Sequence, residues 1–228
     1  MFCHWLPLVP LRATVTEPVE GVKCIRIGNF VTRALGRIGG YGYSTCYLVD
    51  GELLIDTGFG WAARRFRRLL SELELSETLT TVVCTHYHED HIGNNGLIAE
   101  VTDATIMVHR DALTEVRYPS EKTWYRRFLF GPSKPVEAEA IPARLTLSAR
   151  EFEVMDTPGH CPGHICLLER ENGWLFSGDL FISTDLDSQL GDADGPLWIE
   201  SIKHVLHREP TAMFDGHGEV VELSLIHI

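Results

Sequence analysis

Seven consecutive residues restrict what this chain can fold into more than any other feature: Thr85-His86-Tyr87-His88-Glu89-Asp90-His91. They follow an apolar run at 80–84 that reads as a short buried strand. In an extended segment, residues two apart point to the same side, so His86 and His88 converge on one point. The turn into a following helix then directs Asp90 and His91 toward a second point. Imidazole with carboxylate and no thiolate suits zinc, with iron or manganese as alternatives. A polar turn of hydrogen-bonded histidines would leave this spacing unexplained.

Three later segments supply what the first lacks. Thr157-Pro158-Gly159-His160 follows an expected strand and offers a third imidazole for the first metal. Phe176-Ser177-Gly178-Asp179 ends another strand and offers a carboxylate able to bridge two metals. Gly216-His217-Gly218 follows the last expected strand and offers a third ligand for the second metal. The neighbouring glycines permit tight turns and close backbone approach. Each segment alone is weak evidence; their joint presence in this order is strong.

The ordered set resembles the metallo-β-lactamase superfamily of hydrolases, over roughly 22–218. Leu54-Ile55-Asp56-Thr57-Gly58 is similar to the family's early D-T-G motif, whose Asp supports the metal loop. The resemblance implies an α/β fold, a four-layer αβ/βα sandwich with two divalent ions at one edge of the sheets. It implies that His86, His88 and His160 bind one ion, that Asp90, His91 and His217 bind the other, and that Asp179 bridges them. A metal-bridging hydroxide would then attack a carbonyl or phosphoryl centre, with Asp90 both ligating and orienting it. Asp90 is accordingly the expected catalytic residue. Asp56 and His164 are expected to support the ligands from behind, because His164 resembles the family's second, non-ligating histidine. Cys161, beside His160, is not expected to act as a nucleophile. The segment from Thr157 through Cys166 looks like hydroxyacylglutathione hydrolases and related lactonases, which implies a thioester, ester or lactone substrate. A phosphodiesterase or nuclease, a β-lactamase and a non-catalytic metal sensor are the alternatives.

Composition bounds the partners. A chain of 228 residues, 44% of them hydrophobic, suits one domain with its own core. A formal charge of -12 repels phosphate backbones, so a small-molecule substrate is expected and nucleic acid is not. No apolar run approaches the ~20 residues that span a bilayer. The apolar start at 1–11 has two prolines and no early positive charge, unlike a signal peptide, so a cytoplasmic protein is expected. Six cysteines without a C-x-x-C pair read as buried thiols of a reducing compartment. The end, Leu223-Ser224-Leu225-Ile226-His227-Ile228, resembles a translated sequencing adapter, which excludes His227 from the site. The chain thus divides into an irregular lead at 1–20, a hydrolase domain at 21–222 and a non-native tail at 223–228.

Periodicity predicts strands over 22–27, 43–49, 53–55, 80–84, 105–108, 152–155, 165–168, 174–176 and 212–214. Asp50-Gly51 and Asn172-Gly173 mark two hairpin turns. Helices are expected over 61–73, from 91 toward 101, over 111–116 and over 198–206. The first should bury Trp61, Phe66, Leu69, Leu70 and Leu73, and the last Ile199, Ile202 and Leu206. The stretch 117–143 carries four prolines and five aromatics and reads equally as a lid or as a cover for the core. Its Trp124 and Tyr125 are the candidate substrate contacts. His109 reads as structural, and Asp185, Asp187, Asp192 and Asp194 as a solvated acidic loop.

Overall fold

Alternate side chains along the central strands enter different cores, and this split produces two face-to-face sheets. In the computed structural model, which describes residues 12–28, 43–119, 130–181, 193–218 and 220–223, the first sheet has seven strands in sequential order. They are β1 (Arg12–Val19), β2 (Val22–Gly28), β3 (Ser44–Val49), β4 (Leu53–Ile55), β5 (Thr81–Val83), β6 (Thr105–Val108) and β7 (Glu139–Ala140). The second sheet runs β13 (Val221–Glu222), β12 (Ala212–Asp215), β11 (Trp174–Gly178), β10 (Ile165–Glu169), β9 (Glu151–Asp156), β8 (Arg144–Thr146). Tyr47, Val49, Leu53 and Ile55 meet Phe152, Ile165, Leu167, Phe176 and Phe214 between the sheets. The intervening residues Cys46, Leu48 and Leu54 face outward into a helix-covered core. Cys166, Leu175 and Met213 do the same on the other side. Strands buried on both faces read as unbroken apolar runs, which is why they were visible in the sequence.

Helices close both outer faces, completing the αβ/βα layering. Five pack on the first sheet's side: α1 (Ala63–Glu72), α2 (Leu75–Thr78), α3 (Glu89–Ile92), α4 (Asn95–Val101) and α5 (Leu113–Arg117). α6 (Gly195–Leu206) covers the second. Its buried face is Trp198, Ser201 and Val205 with Ile202 beside them, while Ile199 and Leu206 face solvent. The expected face was therefore rotated. Two polar contacts fix the true one: the Trp198 indole donates to the Leu180 carbonyl at 3.0 Å, and Ser201 Oγ to the Pro158 carbonyl at 2.7 Å. α6 thereby fastens the chain beside two expected ligand loops. Asp194 is the N-cap of this helix, accepting from Leu197 N–H, rather than a freely solvated carboxylate. Trp61 is also exposed, lying in a short 3-10 turn ahead of α1, whereas Phe66, Leu69 and Leu70 are buried.

β1 corrects the irregular lead at 1–20, since 12–19 forms an antiparallel edge strand on β2. Its residues are largely exposed, and the short alternation of Ala13 and Val15 with Arg12, Thr14 and Thr16 gives only a weak apolar pattern before Pro18. The hairpin at Asp50-Gly51 forms as expected, with both residues at positive φ. The hairpin around Asn172-Gly173 joins β10 and β11. Cys24, Cys46, Cys84, Cys161 and Cys166 are buried thiols. Among the described residues, no helix is long and apolar enough to cross a membrane. Trp124, Tyr125, Cys3, His227, Asp185, Asp187 and Asp192 lie outside the described residues.

Strand direction decides where the chemistry sits. β9 and β11 both run antiparallel to β10, and β12 runs parallel to β11. Their C-terminal ends share one edge. β4, β5 and β6 are mutually parallel in the facing sheet. The loops leaving β4, β5, β9, β11 and β12 converge there.

Candidate metal centre

The register of β4 with β5 pairs Ile55 with Val83, so Asp56 and Thr85 leave the two strands side by side. Asp56 then accepts from the Thr85 N–H at 2.8 Å, from the Thr85 hydroxyl at 2.9 Å and from His91 Nδ1 at 2.8 Å. Its backbone holds φ 60°, a strained setting for a residue with a side chain. Thr57 and Asn94 tie the same turn to α3 and α4. Thr57 Oγ1 reaches the His91 carbonyl at 3.0 Å, and Asn94 Nδ2 donates to the Thr57 carbonyl at 2.6 Å. The start of the metal loop is therefore braced by side chains on both of its flanks.

All seven residues expected as ligands come together. Three sets of donor atoms lie within 4.8 Å of one another: His86, His88 and His160; His86, His91 and Asp179; and Asp90, His91 and His217. His160 Nε2 is 3.0 Å from His88 Nδ1. Asp179 Oδ2 lies 3.8 Å from His86 Nε2, 3.6 Å from His160 Nε2 and 3.2 Å from His217 Nε2. Its Oδ1 lies 3.2 Å from His91 Nε2, and Asp90 Oδ2 lies 3.5 Å from His217 Nε2. Donors at ~2.0–2.1 Å from a tetrahedral ion stand ~3.3 Å apart, so these separations are those of a ligand shell. Among the described residues His86 Nε2 is buried with no hydrogen-bond partner, the state of an acceptor reserved for an ion. The cluster is therefore able to bind metal.

Backbone geometry makes room for it. A Cβ on Gly216 would stand 2.4 Å from Asp179 Oδ1 and 2.7 Å from the His91 ring, so only glycine fits between the two loops. Asp215 accepts from the N–H groups of His217 and Gly218, closing the turn that carries His217. The Tyr47 hydroxyl, rising from the inter-sheet core, donates to the Asp215 carbonyl at 2.7 Å. Tyr43, through its carbonyl 2.5 Å from His217 Nδ1, leaves Nε2 turned toward the cluster. Asp215, Tyr43, Thr85 and Thr57 were not singled out in the sequence. Thr85 and Thr57 had a signal there, one at the head of the histidine motif and the other inside the D-T-G motif; Asp215 and Tyr43 had none.

His164 lies behind the cluster, and both of its ring nitrogens have partners. Nε2 accepts the Asp179 backbone N–H at 3.1 Å, so the ring proton is on Nδ1 and points to Thr157 Oγ1 at 2.9 Å.

Charge is divided unevenly across the cluster. Burial pushes His86 well below the usual imidazole range and His160 down to about 4, despite the opposing Asp179 carboxylate. Burial also opposes charge on His91 and His217, but there the carboxylates win. Asp179 and Asp56 hold His91 well above its ordinary value, and Asp179 with Asp90 raises His217 to about 9. Asp179, against its own burial, is held well below the ordinary carboxylate range by His217 and His91.

A profile of the metallo-beta-lactamase superfamily matches residues 39–217, which contain all seven residues expected as ligands. The chain belongs to that superfamily. A "Beta-lactamase-like protein 2 homolog" of Drosophila melanogaster is 27% identical over 198 residues, 79% of this chain and 60% of its own length. An "Acyl-coenzyme A thioesterase" of Gallus gallus is 35% identical over 160 residues, 59% of this chain and 56% of its own. The chain thus spans about three fifths of these curated superfamily members. Hydroxyacylglutathione hydrolases are also among the relatives. A metallo-beta-lactamase family protein from Thermus thermophilus superposes with a TM-score of 0.68 at 21% identity, covering 90% of this chain and 75% of that one, which shows the shared fold.

Proposed function

We propose that this superfamily member hydrolyses a thioester, using two divalent ions, zinc first among them. The ligands would be His86, His88 and His160 for one ion, Asp90, His91 and His217 for the other, and Asp179 for both. The observation that carries the reading is the 3.2–3.8 Å spacing of donors around Asp179, with His86 Nε2 left without a hydrogen-bond partner among the described residues. Two such ions supply Lewis acidity and acidify water near neutral pH. Asp90 binds at one end of the cluster and orients the attacking water by accepting its proton's hydrogen bond. Asp56 and His164 hold the ligating loops still. Thioesters are favoured over lactones and phosphodiesters because the relatives include proteins named for acyl-coenzyme A and acyl-carrier thioesterase activity and for hydroxyacylglutathione hydrolysis.

Zinc-loaded protein assayed against acyl-coenzyme A, S-acyl glutathione, a lactone, a β-lactam and a phosphodiester tests the substrate class. The expected result is a kcat/KM at least about tenfold higher for a thioester than for the other classes, about 1.4 kcal/mol of transition-state preference. Preference for the phosphodiester or the β-lactam would reject it.

The uneven charge predicts unequal metal loading. Only neutral imidazole binds a metal ion. His91 and His217, both raised, carry protons at neutral pH in the metal-free protein and must shed them. His86 and His160, both lowered, have none to shed above about pH 5. Affinity of the Asp90–His91–His217 half should therefore rise between about pH 6 and 9, up to about tenfold per pH unit for each proton displaced. Zinc titration calorimetry in two buffers of different ionisation enthalpy should show proton release concentrated in one binding step. Equal release at both steps would contradict this charge assignment.

A further inference from the structure

The two halves of the cluster share a second carboxylate besides Asp179, and one hydroxyl connects it to the half it does not touch. Asp56 receives His91 Nδ1 directly. On its other side it receives the Thr85 hydroxyl, whose single proton is thereby used. His86 Nδ1 lies 3.1 Å from that same hydroxyl oxygen. With the hydroxyl proton directed at Asp56, the only hydrogen bond left is from His86 Nδ1–H to Thr85 Oγ1. The His86 lone pair is then on Nε2, the buried atom without a partner beside Asp179. The fold reserves space for this arrangement. A Cβ on Gly178, which sits at φ +49°, would stand 2.7 Å from Thr85 Oγ1 and 2.8 Å from its Cβ.

We propose that Thr85 is a positioning residue that passes the Asp56 carboxylate on to His86. One buried carboxylate thereby sets the tautomer of one histidine in each half of the centre. Thr85 touches neither substrate nor ion; it acts through His86. The inference rests on the dinuclear reading above. It assigns the two halves different dependences: His91 leans on Asp56 alone, whereas His86 requires the hydroxyl as well.

The test compares the full-length wild type with Thr85→Ala and Thr85→Ser, each loaded with zinc and challenged with a graded chelator while metal per chain is counted. Loss of a supporting partner typically weakens a metal site by about 10–100-fold. Thr85→Ala should release one ion at about 10–100-fold less chelator than wild type and hold the other as wild type does. Thr85→Ser, which restores the hydroxyl, should behave as wild type. Long-range proton–nitrogen spectra of wild type should show the His86 proton on Nδ1, a measurement that needs no variant to fold. A wild-type spectrum with that proton on Nε2 overturns the proposal. So does Thr85→Ala that retains both ions as wild type, or that loses both together, as a general loosening of the loop would cause. A wild type that binds no zinc would instead reject the dinuclear reading itself.

Discussion

Asp179→Ala is expected to leave the purified protein with no more than one firmly held zinc ion per chain, where wild type should hold two. Asp179 is the one residue whose two oxygens face donors from both halves: Oδ2 faces His86, His160 and His217, and Oδ1 faces His91. Its removal subtracts a ligand from each ion at once. The loss should exceed the 10–100-fold that a supporting residue costs, on the order of 10² or more in affinity at the weaker half. The same substitution should change the metal-free protein. The Asp179 carboxylate does most to raise His217 against its burial, and it counters protonated His91 as well. Without it, both imidazoles should fall toward the neutral form, and proton release on zinc binding should shrink. The sign for stability follows. The depressed Asp179 stabilises the metal-free fold above its unfolded value near 3.8, and that contribution is lost as pH falls through its folded value. Raised His217 stabilises below its unfolded value near 6.5, and its contribution fades as pH rises through about 9. Asp179→Ala should flatten both limbs of a melting-temperature profile of metal-free protein. Asp179→Asn, which keeps shape and one oxygen, should fall between the two. Two zinc ions retained by Asp179→Ala at wild-type affinity would mean that this carboxylate is not shared.

How much of this was legible in the sequence depends on whether function compressed into a short motif. The clustered His and Asp residues were legible because each follows the C-terminal end of a strand and has glycine, threonine or another member of the cluster close by. β3, β4, β5, β10 and β12 were legible because both faces are buried, so their apolar runs are unbroken, whereas β6 and β9 bury one face more than the other. β1 was not, because an edge strand paired only to β2 and largely exposed has only a weak apolar pattern. The buried face of α6 was misplaced because Ile199 and Leu206 are more hydrophobic by type than Ser201. The sequence does not show that Ser201 has a carbonyl to reach at Pro158, or that Trp198 has one at Leu180. The supports behind the ligands were legible only in part. Asp56 lies in a recognisable motif, but the Asp215 carboxylate accepts backbone N–H groups and Tyr43 acts through its own carbonyl on a residue far away in sequence, and nothing local announces either.

Asp90→Ala should abolish most turnover while Cys161→Ala keeps most of it, and the contrast separates the two groups that could carry the attack. Cys161 adjoins His160 and has the chemistry of a nucleophile, but it is fully buried in the core that also holds Cys84 and Tyr87. A nucleophile has to reach an acyl carbon, and a side chain without solvent access in a packed core does not. Asp90 instead stands within the cluster of candidate donors, 3.5 Å from His217 Nε2, with its backbone carbonyl held by Ser44 Oγ at 2.5 Å. It can ligate and align the attacking water at once. Positioning and water activation are each worth several kcal/mol of barrier, so kcat should fall on the order of 10²-fold or more. Asp90→Asn should recover little of this, because an amide keeps the size but loses the charge that holds ion and water. Metal content has to be measured beside kcat, since Asp90→Ala should also weaken the His91–His217 half. With excess zinc restoring two ions per chain, the surviving deficit in kcat reports orientation alone. An inactive Cys161→Ala protein with intact metal content would reverse the assignment and make the thiol the attacking group.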